Sequence, residues 1–155
     1  MNGYPDTSTE IWERILTDVE SAYPAEGCGL ILVRGTLSTR VRPCTNAQMK
    51  YHELDPAAFP RTDRNAYFIE PRELLQVERE LRETGEKILG IYHSHPDAEA
   101  YFSEEDQAQA MADGEPIHPG TGYLVLSVRE GKTRDHKWFA WDGEGYSEVS
   151  SVGSD

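Results

Sequence analysis

The sequence predicts an α/β chain folded as one domain. Three observations lead there. A short apolar run bounded by glycines, "CGLILVRG" at 28–35, reads as a buried strand. A segment of helical period, "EPRELLQVERELRETG" at 70–85, opens with Pro71 and closes on Gly85. A second strand-like run, "KILGIYHSH" at 87–95, follows directly. Strand, helix and strand in that order imply a sheet with helices packed on it. The length, 155 residues, suits a single domain, taken as 1–150 with a frayed tail at 151–155.

The remaining elements follow in order. "TSTE" at 7–10 is a capping box, with Thr7 as cap and Glu10 reaching back. Ile11, Trp12, Ile15, Val19 and Ala22 then recur at helical spacing, and Pro24 ends the helix. "STRVRPC" at 38–44 pairs with the first strand as a hairpin. Residues 45–66 carry two prolines and little periodicity, and read as an irregular insertion. Leu74, Leu75, Val77 and Leu81 give the 70–85 helix its apolar face. "SEEDQAQAMADG" at 103–114 reads as a third helix. Two more strands, 121–130 and 136–143, are joined by a turn around Gly131. Trp138 and Trp141 fall on opposite faces of the second of these.

Acids outnumber bases 28 to 15, for a formal net charge of −13. Such a surface repels nucleic acid and anionic membranes. No apolar run is long enough for a membrane span, and no secretory leader is legible at the N-terminus. Cys28 and Cys44 make no disulfide framework, so a reducing, cytoplasmic setting is expected. Cys28 reads as a small core residue. His52, His118 and His136 have no partner spacing, although the loop carrying His118 is able to approach a site.

The chemistry concentrates in "HSHPDAEAYFSEED", residues 93–106. Side chains alternate along a strand, so His93 and His95 share a face with Cα atoms roughly 6–7 Å apart, while Ser94 points the other way. Pro96 stops the strand's hydrogen bonding. Ser103 and Asp106 then open a helix, and Asp106 can turn back toward the histidines. Two His and one carboxylate suit zinc, with the fourth tetrahedral position open to water. Structural readings exist for each part: a solvated strand edge for the histidines, a capping box for Ser103 and Asp106. Only a metal site uses all four residues. A bound water also needs a base. Glu26, between a helix and a buried strand, sits where a rim residue would, but the residues alone do not separate it from Asp97 or Glu99.

The order His93-x-His95, seven residues, Ser103, two residues, Asp106 resembles the signature of the JAMM (MPN+, Mov34/JAB) zinc metalloproteases. "PAEGCGLIL" is similar to that family's segment around its catalytic glutamate, with Ile31 in place of a Leu. Asn46 and "FIEPRELL" also match the family's spacing. The resemblance spans about residues 9–140 and departs at no chemical position. It implies a curved, mostly antiparallel sheet flanked by helices. It further implies a single Zn2+ on His93, His95 and Asp106, Glu26 as general base and proton donor, and Ser103 as oxyanion stabiliser.

A small stand-alone chain of prokaryotic type resembles the members that act on ubiquitin-like sulfur-carrier proteins. Those remove an amino acid or peptide from the carrier's Gly-Gly end. The implied groove lies beside a sheet edge. Part of the 45–66 insertion, with Tyr101 and Phe102, is a candidate for its border; for Tyr101 and Phe102, plain packing of the loop is the other reading. Two rival functions stand beside this one: an MPN-type module that binds a protein and cuts nothing, and a zinc amidase for small substrates. The absence of a Cys-x-x-Cys pair disfavours a zinc deaminase.

Overall fold

A computed structural model describes residues 9–35 and 37–149. The cap at Thr7 and the tail at 151–155 lie outside the described residues. Helix α1 spans Thr9–Ala22, and strands β1 (Cys28–Arg34) and β2 (Leu37–Cys44) form the expected hairpin. Helix α2 is Gln48–Leu54, α3 is Pro71–Thr84, and β3 is Lys87–Pro96. Helix α4 (Glu104–Ala110) precedes a small hairpin of β4 (Met111–Ala112) and β5 (Glu115–Pro116). Strands β6 (Gly122–Arg129), β7 (Lys132–Trp141) and β8 (Tyr146–Val149) complete the chain.

Six strands form one sheet in the order β2-β1-β3-β6-β7-β8. Every neighbouring pair is antiparallel except β3 and β6. The single parallel step requires a long crossover, and residues 97–121 provide it. That crossover carries α4 and therefore Asp106. It returns the chain beside the strand that bears both histidines.

Alternation along the strands divides the core in two. On one face Ile31, Tyr92, Leu124, Leu126 and Trp138 pack under Ile11, Ile15 and Val19 of α1. On the other, Leu30, Leu32, Ile91, Val125 and Phe139 pack with Val77 of α3 and Ala110 of α4. Trp138 and Trp141 divide between these faces as parity predicts. Two glycines permit close aromatic contact with the sheet. A Cβ on Gly29 would overlap the Tyr92 ring, and one on Gly90 would lie 2.7 Å from Trp138.

Several sequence expectations change. The 45–66 stretch is not wholly irregular, because it contains α2. Only Gln48 of α2 is buried, so the helix leaves little periodic signal. The helix expected over 103–114 ends at Ala110, since Asp113 and Gly114 take positive φ of 52° and 78° and turn β4 back on β5. Strand β7 starts earlier than expected, and β8 is an additional strand. Leu75 is exposed, because the buried side of α3 runs through Leu74, Val77 and Leu81. Gly85 ends α3 in the left-handed conformation, as its sequence position implies.

Candidate metal and catalytic site

The second core face ends in polar residues. After Ile91, the same side of β3 presents His93 and His95, both buried. Pro96 closes the strand, and Asp97 turns the chain with a positive φ of 55°. The Asp97 carboxylate holds that turn, accepting from Tyr23 Oη–H at 2.6 Å and from Glu130 N–H at 3.0 Å. Buried Ala100 anchors the loop. Ser103 then caps α4 by a reciprocal pair of bonds. Its Oγ accepts from Asp106 N–H at 3.0 Å, and its own N–H donates to Asp106 Oδ2 at 3.0 Å. Gln107 fastens α4 to β8 through the Tyr146 backbone, at 2.9 and 3.2 Å.

Three ligand atoms meet there. Asp106 Oδ2 lies 3.1 Å from His93 Nε2 and 3.2 Å from His95 Nε2, and the two Nε2 atoms are 3.2 Å apart. His95 Nδ1 lies 2.8 Å from the Glu99 carbonyl, which can only accept. That contact fixes the ring with Nε2 turned toward Asp106. Tyr67 stacks on His93 with ring centroids 4.5 Å apart, and Tyr101 meets His95 edge-on at 5.0 Å. Burial would raise the Asp106 pKa, but the two imidazoles more than offset this and hold its carboxyl well below the usual range. Two imidazole nitrogens and a buried carboxylate oxygen, converged on one point, form a donor set that fits a divalent cation.

Glu26 reaches the same cleft from the other side of the sequence. The cleft is lined by Glu26, Arg61, Arg64, Asn65, His95, Tyr101 and Ser103, among others. Glu26 is buried, and its Oε1 has no hydrogen-bond partner. Desolvation, reinforced by the Asp106 charge and opposed by Arg61, pushes its pKa up to about 9. Its backbone is tied down on three sides. Glu26 N–H donates to the Asp63 carbonyl at 2.7 Å, and Asn46 Nδ2 donates to the Glu26 carbonyl at 2.9 Å. The neighbouring Gly27 N–H donates to Ser94 Oγ at 2.8 Å. Ser94 thus uses the face opposite the histidines to join the Glu26 segment to β3.

The other candidates separate clearly. Asp97 is spent on its turn, and Glu99 serves His95 through its carbonyl. Tyr101 lines the cleft and is half exposed. Phe102 packs against Tyr123, Phe139 and Tyr146. Cys28 is buried in the core. His118 lines a separate apolar depression with Tyr67, Phe68 and Tyr123. The cleft opens at the end of β3, an inner strand, rather than beside an edge of the sheet. Sequence reasoning placed part of the 45–66 stretch at the groove without naming Arg61 or Arg64, which line the cleft, and did not find the parts of Tyr67 and Gln107. None has a spacing that ties it to the histidines.

Comparison with known proteins agrees with this geometry. The family model described as prokaryotic homologs of the JAB domain matches residues 8–142. A protein of Haloferax volcanii named desampylase is 29% identical over 82% of this chain and 77% of its own length. A solution structure of a protein from Desulfitobacterium hafniense superposes with a TM-score of 0.69 at 28% identity, covering 94% of this chain and 89% of that one. A JAB1/MPN domain protein from Archaeoglobus fulgidus shares the fold, with a TM-score of 0.52 at 18% identity over 91% of each chain.

Proposed function

Because the chain belongs to the prokaryotic homologs of the JAB domain, we propose that it is a zinc-dependent peptidase or isopeptidase. Its substrate is the bond after the C-terminal Gly-Gly of a ubiquitin-like, sulfur-carrier-type protein. One observation carries the reading. His93 Nε2, His95 Nε2 and Asp106 Oδ2 converge within 3.2 Å at a cleft that also presents Glu26 and Ser103. The similarity to a desampylase supports a ubiquitin-like modifier as the substrate class.

His93, His95 and Asp106 would hold the zinc, which when bound supplies Lewis-acid activation of water and of the scissile carbonyl. The chain's own groups do the rest. Burial keeps the proton on Glu26 in the metal-free chain despite Arg61; positive charge held on His93, His95 and Asp106 would oppose that burial and favour the carboxylate able to act as base. Glu26 accepts a proton from the attacking water at Oε1 and returns it to the leaving amine. Ser103 Oγ accepts from the helix backbone, which leaves its own O–H proton to donate toward the developing oxyanion. Tyr101 walls the cleft and guides an extended tail past His95.

The test pairs metal content with cleavage. The purified chain is expected to carry about one zinc, and to cut Gly-Gly-linked carrier fusions in a chelator-sensitive, zinc-restored manner. Failure to retain metal after zinc is supplied and the excess removed would overturn the reading in favour of a binding module. Cleavage of small amides with no cleavage of carrier fusions would reassign it to an amidase.

A further inference from the structure

Two arginines line the cleft, Arg61 and Arg64, while several cations elsewhere on the chain have acidic partners. Arg40 pairs with Glu86 at 3.0 Å, Arg42 with Glu73 at 2.8 Å and Lys50 with Glu70 at 2.6 Å. Arg61 lies 3.6 Å from Glu105 and donates to the Asn65 carbonyl at 3.1 Å. Arg64 lines the catalytic cleft, and its guanidinium has no ion pair or hydrogen bond among the described residues. In a chain with 28 acids and 15 bases, a cation at the cleft without an acidic partner is conspicuous.

Its backbone is fixed. Thr62 N–H donates to Asn65 Oδ1 at 3.1 Å, Arg64 N–H to Thr62 Oγ1 at 3.3 Å, and Asn65 N–H to the Thr62 carbonyl at 3.3 Å. The same turn is joined to the base's own segment through Asp63 O and Glu26 N–H. The turn therefore carries the Arg64 side chain at the cleft next to the Glu26 segment. Its planar fork matches a carboxylate in two parallel hydrogen bonds. The surrounding acidic surface would otherwise repel an anionic chain end.

We infer that Arg64, with Arg61 beside it, binds a carboxylate of the substrate and makes the cleft selective for it. This rests on the peptidase reading above. Two sources share the chemistry: the free α-carboxylate of a leaving amino acid, and an acidic side chain in the carrier tail.

The experiment compares kcat/KM for three carrier fusions, each cut by the parent and by Arg64→Met. One ends in a single amino acid with a free carboxylate, the second in its carboxamide. Both of these carry a glutamate before Gly-Gly, and the third keeps the free carboxylate with glutamine in its place. A charge-assisted bond predicts that the parent favours the carboxylate at the true source by about tenfold or more, and that Arg64→Met brings the ratio near one. Loss with the carboxamide assigns the leaving residue, and loss with the third fusion assigns the tail. Equal rates on all three, or the same ratio in parent and variant, would overturn the inference while leaving the peptidase reading intact. If no fusion is cut, the peptidase reading fails, and the inference is read from binding. Acid and amide forms of a Gly-Gly tripeptide, and of one with a preceding glutamate or glutamine, are titrated by calorimetry. Absence of an Arg64-dependent preference for an acid would overturn it.

Discussion

The cleft has two halves that are built differently. His93, His95 and Asp106 come from one continuous span, and their geometry follows from a strand, a turn and a helix cap. Glu26, Arg61 and Arg64 come from the segment just before β1 and from a loop before α3, and they are brought in by long-range hydrogen bonds through Asn46, Asp63 and Ser94. The electrostatics differ as well. The ligand half holds a carboxyl that gives up its proton readily, and the base half holds one that retains it. Two acids at one cleft with opposed pKa shifts are suited to different roles: Asp106 to a permanent anion, Glu26 to proton transfer.

Substitutions should separate the halves. Asp106→Ala strikes the ligand half and its helix cap together. Metal content should fall close to zero and turnover to background, a larger loss than the 10–100-fold that an outer-shell partner typically costs. Elemental mass spectrometry beside a cleavage assay checks it, and full metal retention would detach Asp106 from the ligand set. Glu26→Gln should leave metal content unchanged and lower kcat by about 10²–10⁴-fold. Near-parent turnover would remove the base assignment. Ser103→Ala lies between the halves. It should lower kcat by about 10²–10³-fold through the lost oxyanion donor. It should also cost about 1 kcal/mol of stability through the lost cap, read by chemical denaturation.

A fourth measurement isolates the base half without turnover. Glu26 has a folded pKa of about 9 against an ordinary 4.5, so the metal-free fold binds its proton more tightly than the unfolded chain does. Its contribution to stability is then fully present at the acid end and is lost as pH rises from about 4.5 toward about 9. Glu26→Gln should remove that slope, making the variant increasingly more stable than the parent across this window. Parallel pH profiles for metal-free parent and variant would contradict it. The smallest effect on catalysis is expected at the rim. Tyr101→Ala should raise KM a few-fold with little change in kcat, whereas Phe102→Ala should cost stability and leave KM alone. Equal KM changes in both would place Phe102 in the groove after all.

Much of the ligand half was legible before any coordinates. Period-2 alternation put His93 and His95 on one face, and the Ser103–Asp106 spacing specified a cap whose carboxylate turns inward. The fold class was legible for the same reason, since Ile11, Ile15 and Val19 carry a helical period and 28–34 a buried apolar run. Other elements lacked such a pattern. Helix α2 buries a single glutamine. Strand β8 is four residues long, and it holds α4 through Gln107, whose partner is a backbone group rather than a side chain. Asp113-Gly114 did carry a turn signal, which the apparent helix around it obscured.

The sequence alone determined what short-range stereochemistry controls: which side chains share a strand face and where a helix is capped. The tertiary structure decided which acid is buried in the cleft, and so which one the proposal takes as the base. Asp97, Glu99 and Glu26 are all acids of loop context in sequence. Only the fold spends the first on a turn, directs the second's carbonyl to His95, and buries the third in the cleft without a partner. It also decided that Arg64 faces the same cleft without a counter-charge. Contacts of that kind depend on the parallel β3–β6 step and on hydrogen bonds between distant segments, and local periodicity has no means of encoding them.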